Sequence, residues 1–240
     1  MDESPTKQGS HKAWLWTAVA ERLTVFGVRL SRAATLLEEW LGTTFAGVIS
    51  CDRAKMYWAH GRLQWCWAHL KRDFQALIDS GEGQAKCLGH DLLRPTRKLF
   101  DLWARYRDGT LTRRGWLNKM QPIRKEIDDL LLRGAFSASA RLRGMCNPSL
   151  YDHRHRLWTF LEVEGVEPTN NVSERALRHA VIWRKLSFGT QSAAGSRFVE
   201  TMLTTIESCR QQNRSVFEFV AHAVAAHFAA KPGPSLLHSV

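Results

Sequence analysis

Long apolar runs are missing from this 240-residue chain. None approaches the ~20 residues a membrane-spanning helix requires, so no such helix is expected. Cysteine pairing signals are missing too. The five cysteines, at 51, 66, 87, 146 and 209, are an odd, scattered set without a C-x-x-C. That argues against a disulfide framework and for a reducing cytoplasm. The start, Met1-Asp2-Glu3-Ser4, is acidic and polar, which does not read as a secretory leader. Acidic residues are also scarce: 23 Asp and Glu face 34 Lys and Arg, a net charge of +11 and an isoelectric point near 9.9. Such a balance says nothing about fold but favours an anionic partner, either nucleic acid or a membrane surface. The excess is concentrated, because residues 94–143 hold 13 Lys and Arg against 5 Asp and Glu. No internal repeat or low-complexity tract is present.

Segments 12–19 and 23–30 are short, aromatic and β-branched, separated by Ala20-Glu21-Arg22, and predict a β-hairpin. Ser31 is placed to cap a helix whose apolar stripe is Ala33, Leu36, Leu37, Trp40 and Leu41. Residues 46–50 read as a buried strand that delivers Asp52 at its carboxyl end. Strand, strand, helix, strand predicts an α/β protein with a mixed sheet. A helix is expected from Cys66 to about Gly81, with Trp67, Leu70, Phe74, Leu77 and Ile78 in register. Residues 85–145 are helical in composition, with breaks expected at Pro95, Gly109, Gly115 and Gly134. A helix over Tyr151–Val163 follows. Ser196–Gln212 should be amphipathic through Phe198, Val199, Met202, Leu203, Ile206 and Cys209, and Ser215 with Glu218 forms a capping box for a last helix. The expected division is 1–80 for the first part of the core, 81–150 for a basic helical insertion, 151–230 for the second part, and 231–240 for a disordered tail.

The chemistry is concentrated in the segment from Glu164 to Arg178. Glu174 falls in the first turn of an expected helix after a Pro-Thr-Asn-Asn turn, with Arg175, Arg178 and Arg184 nearby. Asp2 and Asp52 lie where strands are expected to end. Phosphodiester chemistry uses two divalent cations about 3.5–4 Å apart, and a few converging carboxylates suffice for Mg²⁺. Simpler roles compete at each position. Asn171 and Glu174 have capping-box spacing, Asp52 could open a turn, and Asp2 could be a loose terminal acid. Cys66-Trp67-Ala68-His69 is a C-x-x-H without two further zinc ligands at suitable spacing. Trp183 could be core or could stack on a base.

Several strings together resemble the insertion sequence 66 family of bacterial transposases. They are Asp2-Glu3-Ser4-Pro5-Thr6-Lys7-Gln8-Gly9 with Ala13-Trp14-Leu15-Trp16, Phe45-Ala46-Gly47-Val48 up to Asp52-Arg53, and Cys66-Trp67-Ala68-His69-Leu70-Lys71-Arg72-Asp73-Phe74. Val163 through Arg178 and Trp183 through Ser192 complete the set, which runs in order from residue 2 to about 228. The resemblance implies a ribonuclease-H-like mixed sheet flanked by helices and interrupted by a helical insertion. It implies an acidic triad of Asp2, Asp52 and Glu174 holding two Mg²⁺ or Mn²⁺ ions. Cys66 and His69 match a supporting C-x-x-H element. Arg175, Arg178, Arg184, Lys185 and Arg197 are expected to hold DNA phosphates.

The implied reaction is hydrolysis at a transposon end followed by attack of the 3′-hydroxyl on target DNA. The partners would be double-stranded DNA, at transposon ends and target, and further copies of the chain. Members of the family carry segments upstream of the first acid, so the first core strand is expected to be missing or a stub and the activity weakened or absent. The alternative is a catalytically dead fragment that binds DNA through the 94–143 helices or associates with full-length transposase.

Overall fold

A computed structural model describes residues 1–146 and 149–237. Among the described residues the chain is α/β, mostly helical with two small sheets, and divides into two compact units. One, the sheet unit, comprises residues 1–45, 54–59 and 170 onward; the other, the helical unit, comprises 46–53 and 60–169.

The sheet unit is built on three antiparallel strands in the order β1 (Asp2–Gln8), β2 (His11–Val19), β3 (Thr24–Arg29). The expected hairpin is therefore β2–β3. Residues 2–8, where no strand is expected, form the seven-residue β1, in register with β2 from Asp2↔Thr17 to Gln8↔His11. Asp2 thus opens a strand rather than closing one. A two-residue turn with Gly9 at φ 58° joins β1 to β2, a conformation that favours glycine. Pro5 sits on the edge strand, where its missing N–H costs no ladder bond.

Strand alternation sorts the two faces. Ala13, Leu15, Phe26 and Val28 bury one face against Leu177 and Ala180 of α8 (Asn171–Ser187). Trp16 and Gly27 belong to the other face, where Trp16 meets Tyr57 edge-on at 6.2 Å. Tyr57 comes from a 3₁₀ turn, Lys55–Ala59, and its hydroxyl donates to Glu3 Oε2. Helix α1 (Thr35–Leu41) brings Trp40 against Gly27 so closely that a Cβ there would lie 2.5 Å from the indole. Ser31 does not cap this helix. Ala34 is the N-cap without a side-chain bond, and Ser31 Oγ accepts from Ala33 N in a local turn.

Helix α9 (Ala193–Gln211) closes the β3 edge. Val28 N donates to Glu200 Oε1 at 2.6 Å, Phe26 N to Thr204 Oγ1 at 3.0 Å, and Thr24 N to Ser208 Oγ at 3.1 Å. Four helical residues rise about 6 Å and two strand residues about 6.8 Å. Side chains at i, i+4 and i+8 can therefore match every outward-facing amide of a strand running the opposite way. The buried residues of α9 are Ser196, Thr205, Ser208 and Cys209. Of the expected apolar face, Cys209 is buried and Leu203 packs against the sheet core, whereas Phe198 is 67% exposed. Ser215 caps α10 (Val216–Phe228) through Glu218 N as expected, yet α10 buries none of its residues. The 231–237 segment, expected to be disordered, is anchored by bonds from Arg214 to Ser235 O and from Gln212 to Leu236 O. The rest of that tail lies outside the described residues.

The helical unit holds β4 (Ile49–Cys51) and β5 (Leu63–Trp65), paired in parallel. They precede α2 (Trp67–Asp79), α3 (Gly83–Arg107), α4 (Arg113–Ala135) and α5 (Ala140–Cys146). Of the four breaks expected in this stretch, only Gly109 lies between helices; Pro95 is inside α3, and Gly115 and Gly134 are inside α4. Tertiary packing overrides the local signals. Pro95 is buried, and Gly89 lets α3 approach α2, since a Cβ there would lie 2.7 Å from the Phe74 carbonyl oxygen.

The single helix expected over Tyr151–Val163 is replaced by α6 (Ser149–Asp152), a 3₁₀ turn (Arg154–Leu157) and α7 (Thr159–Glu162). Buried Gln64 supplies the reason. Its amide donates to Leu157 O at 3.2 Å, and its oxygen accepts from Phe160 N at 2.8 Å. Thr159 Oγ1 donates to Leu63 O at 2.6 Å, and Trp67 Nε1 to Leu157 O at 2.8 Å. These bonds satisfy backbone groups that a continuous helix would have paired internally.

Candidate functional site

In the sheet unit, Asp2 and Glu174 are carried by elements that pack on one another. Asp2 pairs with Thr17, and Thr17 with Phe26, so the three form one row across the face that α8 covers. Asn170 is the N-cap of α8, but its side chain does not cap; Nδ2 donates to the carbonyl of Met1 at 2.8 Å. The start of α8 is thereby tied to the start of β1. Glu174 lies in the first turn, its N–H donating to Asn170 O at 3.1 Å, next to the stripe of Ser173, Leu177 and Ala180 that faces the sheet. Asn171 is inside the helix, so the capping box that would have explained Glu174 is not formed. Asp2 Oδ1 accepts from Glu3 N at 3.0 Å, and both acids are half-buried.

Thr17 is fully buried, and its Oγ1 has no hydrogen-bond partner among the described residues. A buried hydroxyl left unpaired costs on the order of 1–3 kcal/mol. Thr17 lies cross-strand from Asp2, on the face that α8 covers. Thr17 carries no sequence signal of its own; only the strand register brings it opposite Asp2.

In the helical unit, the parallel pairing of β4 and β5 places Asp52 and Cys66-x-x-His69 at the same ends of the two strands. Asp52 follows the last residue of β4, as expected. Cys66 follows β5, donates its N–H to Cys51 O at 2.9 Å and is the N-cap of α2. Cys66 Sγ and a ring nitrogen of His69 lie within 4.8 Å of each other. Arg53 pairs with Asp73 of α2.

Among the expected phosphate-binding cations, Arg175, Arg178, Lys185 and Arg197 are exposed and Arg184 is half-buried. Arg175 to Lys185 run along α8, and Arg197 lies near the start of α9. Trp183, the residue weighed for base stacking, is half-buried; Phe188, which was not singled out, is 80% exposed.

The model of the family described as "Transposase IS66 family" matches residues 1–197. The chain belongs to that family. It is also 25% identical over 245 residues to the uncharacterized protein y4qI of Sinorhizobium fredii. That alignment covers 92% of this chain, which spans 45% of the relative's length. No solved structure matches. The transposase family match includes Asp2, Asp52, Cys66, His69 and Glu174 and ends at Arg197, so α10 lies beyond it.

Proposed function

We propose that this chain supplies the catalytic domain of DNA transposition, with a ribonuclease-H-like arrangement in which Asp2, Asp52 and Glu174 are the metal-binding acids. The observation that carries the reading is the placement of Asp2 and Glu174. A bond from Asn170 to Met1 ties their elements together, and both elements belong to the face that buries Thr17. Family membership supplies the reaction class.

Two Mg²⁺ or Mn²⁺ ions, when bound, would lower the pKa of the attacking oxygen and stabilise the departing one. The residues' own work is positional. The row across β1, β2 and β3 fixes Asp2, and packing of Leu177 and Ala180 fixes the turn of α8 that carries Glu174. Asp52 takes its position from the β4–β5 pair, and Cys66 and His69 are its supporting neighbours at those strand ends. Arg175, Arg178, Arg184, Lys185 and Arg197 hold phosphates and so set position rather than sequence. The helices of the 81–150 insertion add basic surface for the same DNA, double-stranded ends and target alike, in an assembly of several copies.

Strand cleavage and strand transfer on insertion-element end duplexes test this reading. Divalent-dependent product from the native chain is expected to be weak, and D2N, D52N and E174Q should each lower its rate by about a hundredfold or more. Product formation that survives E174Q would reject the assignment. Salt-dependent binding with no cleavage by the native chain would favour the alternative, a DNA-binding or regulatory fragment, which the 45% coverage of the relative keeps in view.

A further inference from the structure

Phe188 follows α8, is 80% exposed, and has φ 58°, in the left-handed region. A non-glycine residue there costs on the order of 1–2 kcal/mol, so the surroundings must hold it. They do so from both sides. Gly189, at φ 99°, lies against β1 so closely that a Cβ would run into the Lys7 carbonyl oxygen. Thr190 N donates to Lys7 O at 3.0 Å, and Gly9 N donates to Thr190 O at 2.7 Å. The Thr190 and Ser196 hydroxyls are 2.7 Å apart, and Ser196 Oγ donates to Gln8 Oε1 at 2.7 Å. The ring is thus held in solvent by a loop clamped to the β1–β2 hairpin and the first turn of α9. Leu186, 77% exposed, lies two residues away.

Residues 185–197 include Lys185 and Arg197 and no acid, and Lys7 lies on the strand to which the loop is bonded. Lys7, Lys185 and Arg197 are exposed, and none of them forms an ion pair among the described residues. The first turn of α9, which Ser192 caps by accepting from Gly195 N at 3.1 Å, carries no acid. A helix start favours anions. A flat apolar ring among unpaired cations matches a partner that offers π faces and phosphates together.

We propose that Phe188 stacks on a nucleobase at a DNA end while Lys7, Lys185, Arg197 and the start of α9 hold the adjoining phosphates. An end is the fitting position. Inside a duplex both faces of each base are occupied, and opening a step costs a few kcal/mol, whereas a terminal base has a free face. This inference rests on the transposase reading.

The test uses the full chain and duplexes carrying 2-aminopurine at the terminal nucleotide or well inside. The native chain should change the emission of the terminal probe and leave the internal one unaltered. Phe188→Asn removes the ring but tolerates the left-handed backbone, so the loop is kept, as an unchanged thermal melt would verify. This variant should lose the emission change and bind about tenfold more weakly. Phe188→Tyr should retain both properties, and K185A and R197A should each reduce the salt slope by about one. Native affinity and native emission change in F188N would overturn the stacking role alone. Absence of any salt-dependent DNA binding by the native chain would remove the transposase reading and this inference with it.

Discussion

Asp128 shows how one residue's surroundings become a measurable property. It accepts a bond from Trp158 Nε1 at 3.1 Å, with Arg154 4.0 Å away. Burial nevertheless pushes its carboxyl above the usual range, outweighing the Trp158 bond and the Arg124 and Arg154 charges. A raised native pKa means that the folded state binds the proton more tightly than the unfolded chain does. The associated stability is complete below the ordinary aspartate value and is lost as pH rises through the raised one. Asp128→Asn stays neutral and keeps an oxygen for Trp158, so it should be more stable than the native protein at pH 7. Urea midpoints from pH 3 to 7 should show this advantage shrinking to nothing in acid. A difference that does not vary with pH would contradict the account. At the same scale, the places of Glu174 in the first turn of α8 and of Asp52 directly after β4 were legible, because each falls at the end of a recognisable element. Thr17 and Phe188 were not legible. The first depends on which residue lies across the sheet from Asp2, the second on a left-handed turn held by the contacts of Gly189 and Thr190 with the β1–β2 hairpin.

Between elements, the α9–β3 edge is the junction most open to a decisive substitution. Glu200→Ala would leave Val28 N–H without its acceptor and Arg29 without one of its two carboxylate partners. A loss of about 1–3 kcal/mol is expected, together with faster hydrogen exchange at Val28, whereas Glu200→Gln should cost less. No change in either measurement would mean that the helix does not hold the edge. The hairpin β2–β3, the helix α2 and the Ser215 cap could be read locally, because alternation, apolar register and cap spacing all operate within a few residues. The polar stripe of α9 could not, since Glu200, Thr204 and Ser208 look like a solvent face until a strand edge needs acceptors. The segmented 149–162 region escaped for a related reason. Gln64, far away in sequence, takes over backbone bonds that the local pattern assigns to a helix. Pro95 and Gly134 misled in the opposite direction, as breakers absorbed by packed helices.

For the molecule as a whole, an α/β organisation and IS66 membership were both within reach of the sequence, because ordered motifs spread over most of the chain constrain it far more than any one acid does. The strand Asp2–Gln8 was not, since its polar sequence with Pro5 carries no strand pattern of its own and only pairing with β2 defines it. The central claim is that Asp2, Asp52 and Glu174 bind divalent ions together. Titration of Mn²⁺ followed by electron paramagnetic resonance, with end-duplex DNA present, tests it without requiring turnover. The account predicts that the native chain takes up two ions, and that D2N, D52N and E174Q each weaken uptake at least about tenfold while the fold is retained. Undiminished Mn²⁺ binding in all three variants would contradict it.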